Sequence, residues 1–348
     1  MAKRLFSLFL LLALAVAYLP ATARAGKLSQ KEKGRYGTTY WGKYDNAPFP
    51  AKGHKYKDNT IAAFVPKHFC STLMRITDRR KKRTRRSFDC YSSKRYKKLK
   101  KKRKVKVRKH TYIDYVVHFH GHSNTVEKTF RNHKIREQFS LSLQNAILVV
   151  PQGPVNSIDS AAGKLERRKG FRKMMFEVHR LLQEQGVIGK DQKIGHIIIT
   201  SHSGGYLATA MCLKHGGLEV SEVFLFDSLY AYNDVFFKWI SEGGDKGRRF
   251  INVYYRKKPR ARSKELLSML KQGEIPVLHV KESRMRKKNF QRKKLTRAKV
   301  IFIHTDQGHS KCTRGNYNYR DYLFSSNLKR VKSTDWFNKS GLDKMKKL

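Results

Sequence analysis

Short apolar runs and amphipathic stretches take turns along this chain. Ile61-Ala62-Ala63-Phe64-Val65, stopped by Pro66, reads as a strand beginning near Asn59. Tyr112–Phe119 and Ala146–Val150, the latter ended by Pro151, read as two more. Further strands are predicted at Ile197–Thr200, Val223–Phe226, Phe250–Tyr255 and Val300–Ile303. Between them, Phe171, Met174, Met175, Val178, Leu181 and Leu182 recur at helical spacing, and Gly186 suits the end of that helix. A second helix is predicted from Tyr206 to His215. Nearly continuous apolar strands separated by helices predict an α/β fold, with a mostly parallel central sheet covered by helices on both faces.

The ends of the chain read differently. Lys3 and Arg4, the apolar run Leu5–Leu19 and the small-x-small pattern Ala23-Arg24-Ala25 predict a signal peptide over 1–25, cleaved before Gly26, and so a secreted or periplasmic product. Residues 26–58 lack periodicity and are expected to form an irregular arm. The folded domain is expected over 59–335, with a tail over 336–348.

Charge changes the picture more than composition does. The chain carries a formal +51, and removing the leader, which holds three basic residues and no acid, leaves +48. Such an excess implies attraction to an anionic polymer or an anionic cell-envelope surface. Nineteen of the 31 residues from 79 to 109 are Lys or Arg and Asp89 is the only acid, so this block is a basic insertion and not core. It reads either as a solvated excursion or as a polyanion-binding arm. No zinc-finger or recognition-helix motif accompanies it, so no specific nucleic-acid module is expected. The segment Lys257–Lys299 is also basic and reads as a lid over a site or as a surface excursion.

Four cysteines, Cys70, Cys90, Cys212 and Cys312, allow three pairings in an exported protein; Cys70 with Cys90 is the first choice, around the basic block. Cys212 lies in a predicted buried helix, where a thiol packs as a small hydrophobe.

The candidate chemistry starts at Ser201-His202-Ser203-Gly204-Gly205, between the Ile197 strand and the Tyr206 helix. A serine hydroxyl becomes a nucleophile only beside a base, and it must stand clear of the sheet, so the turn that presents it tolerates small neighbours alone. Ser201 stands where the usual Gly-x-Ser-x-Gly pattern has its first glycine. The base is expected after the last strand: His309, following Gly308, is preferred to His304 at the strand end. The acid that orients it is expected at Asp227, directly after the Val223 strand. The Phe250 strand is followed by no nearby carboxylate, Glu265 lies in an apparent helix, and Asp306 is too close to the base's own loop. A structural role for Asp227 as a helix cap is the other reading. Two N–H donors for a developing oxyanion are expected from Gly204 and from His122, in the loop after Val116-Val117-His118-Phe119-His120-Gly121. The three alternate histidines at 118, 120 and 122 also permit a metal site, but they lack an acidic or cysteine partner nearby, so no metal is expected.

The order strand–His-Gly, strand–Ser-x-Ser-Gly-Gly–helix, strand–Asp, strand–Gly-His resembles the α/β-hydrolase superfamily over roughly Asn59 to Leu328. Placement of the acid looks like the less common one used by some lipases. Val65-Pro66 and Val149-Val150-Pro151-Gln152-Gly153 are similar to secreted bacterial esterases of the feruloyl-esterase and polyester-depolymerase type. The resemblance implies serine-mediated acyl transfer on an ester or amide with no metal or organic cofactor, and leaves the substrate open. The alternative is a catalytically inactive hydrolase scaffold that binds polyanions.

Overall fold

A computed structural model describes residues 26–78, 85–90, 93–101, 105–109, 111–243, 246–286 and 295–330. The expected leader (1–25), the expected tail (336–348) and parts of the basic block lie outside the described residues.

Thirteen strands are described: β1 (Lys27–Lys33), β2 (Gly37–Lys43), β3 (Thr60–Pro66), β4 (Leu73–Asp78), β5 (Arg85–Cys90), β6 (Val105–Lys109), β7 (Tyr112–Phe119), β8 (Ala146–Pro151), β9 (Lys193–His202), β10 (Glu222–Phe226), β11 (Arg249–Tyr254), β12 (Val277–Lys281) and β13 (Val300–His304). Ten of them form one sheet in the order β1-β2-β3-β8-β7-β9-β10-β11-β13-β12. The pairings β1–β2, β2–β3 and β3–β8 are antiparallel, and every pairing from β8 to β12 is parallel. Counted from β2 to β13, the eight central strands run first, second, fourth, third, fifth, sixth, seventh, eighth, with the second antiparallel to both neighbours. That is the strand order of the α/β-hydrolase fold, with β1 and β12 added at the edges.

The pleat explains why helices cover both faces. Alternate residues of a strand point to opposite sides, and in β8 Ile147 and Val149 enter one core while Ala146, Leu148 and Val150 enter the other. The helices α1 (Ser93–Lys100), α2 (Val126–Asn132), α3 (Ile135–Leu141), α4 (Gly170–Glu184), α5 (Tyr206–His215), α6 (Asn233–Ser241), α7 (Lys257–Gln272), α8 (Glu282–Arg286) and α9 (Asn318–Phe324) are assigned accordingly. Apolar residues of α4, α5, α6 and α7 seal the first face. Val126 and Phe130 of α2, Phe139 of α3 and Tyr322 of α9 seal the second. A buried ion pair, Arg249 to Glu222 at 3.5 Å, crosses the start of β10 and β11, and Arg249 also donates to the carbonyls of Leu295, Ala298 and Ser325.

Two expectations are corrected. Residues 26–58 are not wholly irregular, since β1 and β2 extend the sheet. β1 (KLSQKEK) is an edge strand with mostly exposed side chains, so it carries charges that blunt the edge and shows no apolar alternation. The Lys257–Lys299 segment is scaffold, not lid, in its described part: α7 packs Leu266 and Leu270 into the core, and β12 pairs with β13 as the other sheet edge. The basic block contributes β5, α1 and β6; β5 and β6 flank β4 in a separate three-stranded sheet. Cys70 and Cys90 are bridged, while Cys212 and Cys312 are buried free thiols.

Candidate active site

Parallel strands bring their C-terminal ends to one edge of the sheet, where crevices for ligands form. β9, β10 and β13 end there, followed by Ser203, Asp227 and His309. Nε2 of His309 lies 2.9 Å from Oγ of Ser203, and its Nδ1 lies 2.6 Å from Oδ2 of Asp227. The three side chains expected from chain order thus form one hydrogen-bonded line.

Local structure explains each position. Ser203 has φ of 51°, a left-handed conformation that costs a non-glycine residue energy and here throws its side chain clear of the strand. Close packing beneath demands small neighbours: a Cβ on Gly205 would lie 2.6 Å from the Phe119 carbonyl oxygen. Ser201 fits where glycine is usual because its hydroxyl is used. Its Oγ meets that of Ser228 at 2.9 Å, and Ser228 Oγ donates to the Ser203 carbonyl at 2.8 Å. The Tyr230 hydroxyl also bonds the Ser203 side chain; burial and, second, the Asp227 charge push its pKa up to about 12.

Asp227 is 2 % exposed and sits between two strands. Its own N–H donates to Val253 at 2.7 Å, and its Oδ1 accepts the Tyr255 N–H at 2.8 Å. With Oδ1 so held, Oδ2 is aimed at His309. Asp227 does not cap the next helix, which begins only at Asn233 after Tyr232. His304, the competing base, stacks on Tyr254 with ring centroids 5.4 Å apart, and Glu265 pairs with Arg262 on α7. The turn before His309 does not require glycine: Gly308 has φ of −57° and open space where a Cβ would go.

The loop after β7 lies against the serine, so that a Cβ on Gly121 would be 2.6 Å from Ser203 Cβ. His120 fixes this loop as a neutral ring. Its Nδ1–H donates to the Gly121 carbonyl at 2.9 Å, while Nε2 accepts from the Gly153 N–H at 2.9 Å and from Gln152 at 3.0 Å. The Gly121 carbonyl and the His122 N–H share one planar trans peptide and point opposite ways, so the bond to His120 orients the His122 N–H as well. The His122 ring covers Gly204 and meets Ser160 Oγ at 2.6 Å. His118 instead bonds Thr200 at 2.9 Å, so the three alternate histidines serve three separate partners. Among the described residues no group of three or more metal-ligating side chains converges.

Sequence reasoning missed the support of the base. His202, the residue before the serine, reaches the backbone carbonyl of His309 with Nε2 at 3.1 Å and stacks on its ring with centroids 4.7 Å apart. His133 stacks behind it at 4.8 Å and bonds Thr313 through Nδ1 at 2.5 Å. Burial holds both below the usual imidazole value, His133 at about 4. A neutral imidazole is therefore packed beside the base. His202 stands inside the small-residue motif, the one signal that could have found it; His133, far off in the chain, left none.

No family model and no curated protein matches the chain. Among solved structures it is similar to an S-formylglutathione hydrolase from Agrobacterium tumefaciens, at 10% identity and a TM-score of 0.44 over 87% of this chain and 99% of that one. It is similar to a substrate-bound fluorophosphonate-binding serine hydrolase from Staphylococcus aureus, at 8% identity and 0.43 over 87% and 100%. It is also similar to a feruloyl esterase module from Clostridium thermocellum, at 11% identity and 0.44 over 90% and 95%. Likeness at this level carries no argument about chemistry, which stands on this chain's own residues.

Proposed function

We propose that this chain is a serine hydrolase of the carboxylesterase or lipase type that cleaves an ester or amide through an acyl-enzyme. The observation that carries the reading is the hydrogen-bonded line Ser203–His309–Asp227 at the C-terminal edge of the sheet. His309 takes the Ser203 proton on Nε2 as Oγ attacks the carbonyl carbon, then returns it to the leaving group; water repeats the cycle to release the acid. Asp227 holds His309 in the tautomer with Nδ1–H and stabilises the imidazolium that forms. The N–H groups of Gly204 and His122 hold the oxyanion. The chemistry draws on these side chains and backbone N–H groups and assigns no step to a cofactor.

Export through the 1–25 leader fits the Cys70–Cys90 bridge, since such bonds persist in oxidising compartments. The mature +48 directs the enzyme to anionic surfaces. An inactive scaffold that merely binds polyanions leaves the aligned serine, histidine and aspartate without a purpose. The test is turnover of p-nitrophenyl esters of graded acyl length, with amide and cell-wall fragments alongside. The wild-type chain should hydrolyse at least the short esters, and Ser203→Ala should lose about a thousandfold or more. Equal turnover by both proteins overturns the assignment.

A further inference from the structure

We propose that the three-stranded sheet β5-β4-β6, with α1 against β6, is a docking unit for a poly(polyol phosphate), a flexible linear phosphodiester polymer without bases. The inference deepens the reading of the charge given above by assigning it to one surface and one polymer chemistry.

Charge is concentrated there. Residues 79–109 hold nineteen basic side chains and one acid, a net +18 in 31 residues of a chain whose total is +51. Among the described side chains, folding sets several of these charges beside one another. Arg75 on β4 lies directly opposite Arg108 on β6, and both are exposed. Lys106, two residues from Arg108, shares its face of the strand and is exposed too. Like charges directly across a sheet oppose its formation. In α1 the exposed pair Lys94 and Lys98 lies four residues apart, as does Lys97 with Lys101 just beyond the helix end, which is unfavourable as well. The helix sequence contains no acid. A surface that opposes its own assembly in this way is relieved by a bound polyanion.

The partner's chemistry follows from what the unit presents. A membrane-surface element sets basic residues beside an apolar face that enters the lipid. Here the apolar residues of β4, namely Leu73, Met74 and Ile76, are buried. Among the described side chains of β4, α1 and β6 every exposed one is basic and no aromatic ring is exposed for a base to stack on, which suits a phosphate backbone and not side groups. The bridge from Cys90 at the end of β5 to Cys70 ties the unit to the segment after β3, so polymer bound there stays tethered to the hydrolase domain.

The test uses full-length Ser203→Ala protein, so that turnover does not enter. Its binding to oligothymidylate and to poly(glycerol phosphate) is followed by fluorescence anisotropy as salt is raised, with anionic phospholipid vesicles as a third arm. One variant combines Lys94→Gln, Lys97→Gln, Lys106→Gln and Arg108→Gln; a control loses the same charge through Lys52→Gln, Lys173→Gln, Lys190→Gln and Lys214→Gln, exposed positions outside the unit. The unit variant should bind both polymers at least tenfold more weakly, with the slope of log affinity against log salt reduced by about 3, from roughly 0.7 per phosphate contact. The control slope should change by less than one. The unit variant's melting temperature should not fall, since like-charge pairs are removed. The Ser203→Ala protein with the unit intact should bind poly(glycerol phosphate) more tightly than oligothymidylate, and the reverse order overturns the proposal. Equal losses in both variants, or binding to vesicles alone, overturn the proposal. Hydrolysis of a soluble ester by the same substitutions on an intact Ser203 should be unchanged; a chain that binds polymer but hydrolyses nothing refutes the hydrolase reading and leaves this one standing.

Discussion

Replacing Asp227 by asparagine probes the line of hydrogen bonds at its most constrained point. The carboxylate accepts two N–H groups, from Tyr255 at 2.8 Å and from His309 at 2.6 Å, and it is almost wholly buried. Asparagine has the same shape but only one acceptor oxygen. The Tyr255 N–H is a fixed backbone donor, so the amide oxygen must turn to it and the amide NH2 then faces His309 Nδ1. The histidine responds by carrying its proton on Nε2, where it donates to Ser203 Oγ and can no longer accept from it. The fold should persist, because the Tyr255 bond survives. A wrong tautomer of this kind costs about 10⁴ in turnover, or about 5.4 kcal/mol in the barrier. The assay is initial-rate hydrolysis of a short p-nitrophenyl ester, with circular dichroism melting to confirm that the variant is folded. A folded Asp227→Asn protein that keeps more than about a tenth of wild-type turnover refutes the reasoning, and the acid would then have to be sought elsewhere.

The remaining predictions concern stability. His118, His120, His133 and His202 are all held below their usual pKa, chiefly by burial. Each takes up its proton more readily in the unfolded chain, so each contributes stability that is full above pH ~6.5 and is lost as pH falls toward the folded value, about 4 for His133. Urea unfolding between pH 7.5 and 5 should show stability falling by up to about 1.4 kcal/mol per pH unit for each such group, and His133→Gln should flatten the slope by one group's share; a profile flat over that window contradicts the burial account. Replacing both Cys70 and Cys90 by serine frees a loop of 20 residues' separation and should lower unfolding free energy by about 3 kcal/mol while leaving ester turnover intact; unchanged stability in urea would show that the bridge does not constrain the chain in solution. Gly205→Ala places a methyl against the Phe119 backbone oxygen, which has nowhere to move, and should cost about 1–3 kcal/mol by thermal melting; a neutral result contradicts the close packing drawn under the serine.

How much was legible in the sequence depended on burial. Strands with both faces in the core are continuous apolar runs: β8 was read to within a residue, and β9 was read only over its apolar centre, Ile197–Thr200, and not over its Lys193–Gly195 start. β1 escaped notice because an edge strand exposes most of its side chains and needs no apolar pattern. β12 (VLHVK) is short and lies in a charged segment, so its sheet pairing left no trace of periodicity. The site was legible because its chemistry imposes local rules: a small-residue turn for Ser203, a strand end for Asp227, a loop after the last strand for His309. Its support was less so. Ser201 looked like a flaw in the glycine pattern, yet it is one end of the hydrogen-bonded link through Ser228 to the Ser203 carbonyl. His133 joins the histidine stack from a segment 69 residues earlier than His202, a proximity that only tertiary packing creates.

The central claim is that His309 activates the Ser203 hydroxyl in the folded protein, and labelling by a fluorophosphonate probe tests it most directly. Intact-mass and peptide analysis of native protein should show one adduct, carried on Ser203, and none after Ser203→Ala or after unfolding in urea. Native protein that takes up no probe, or labelling that survives Ser203→Ala, would contradict the account.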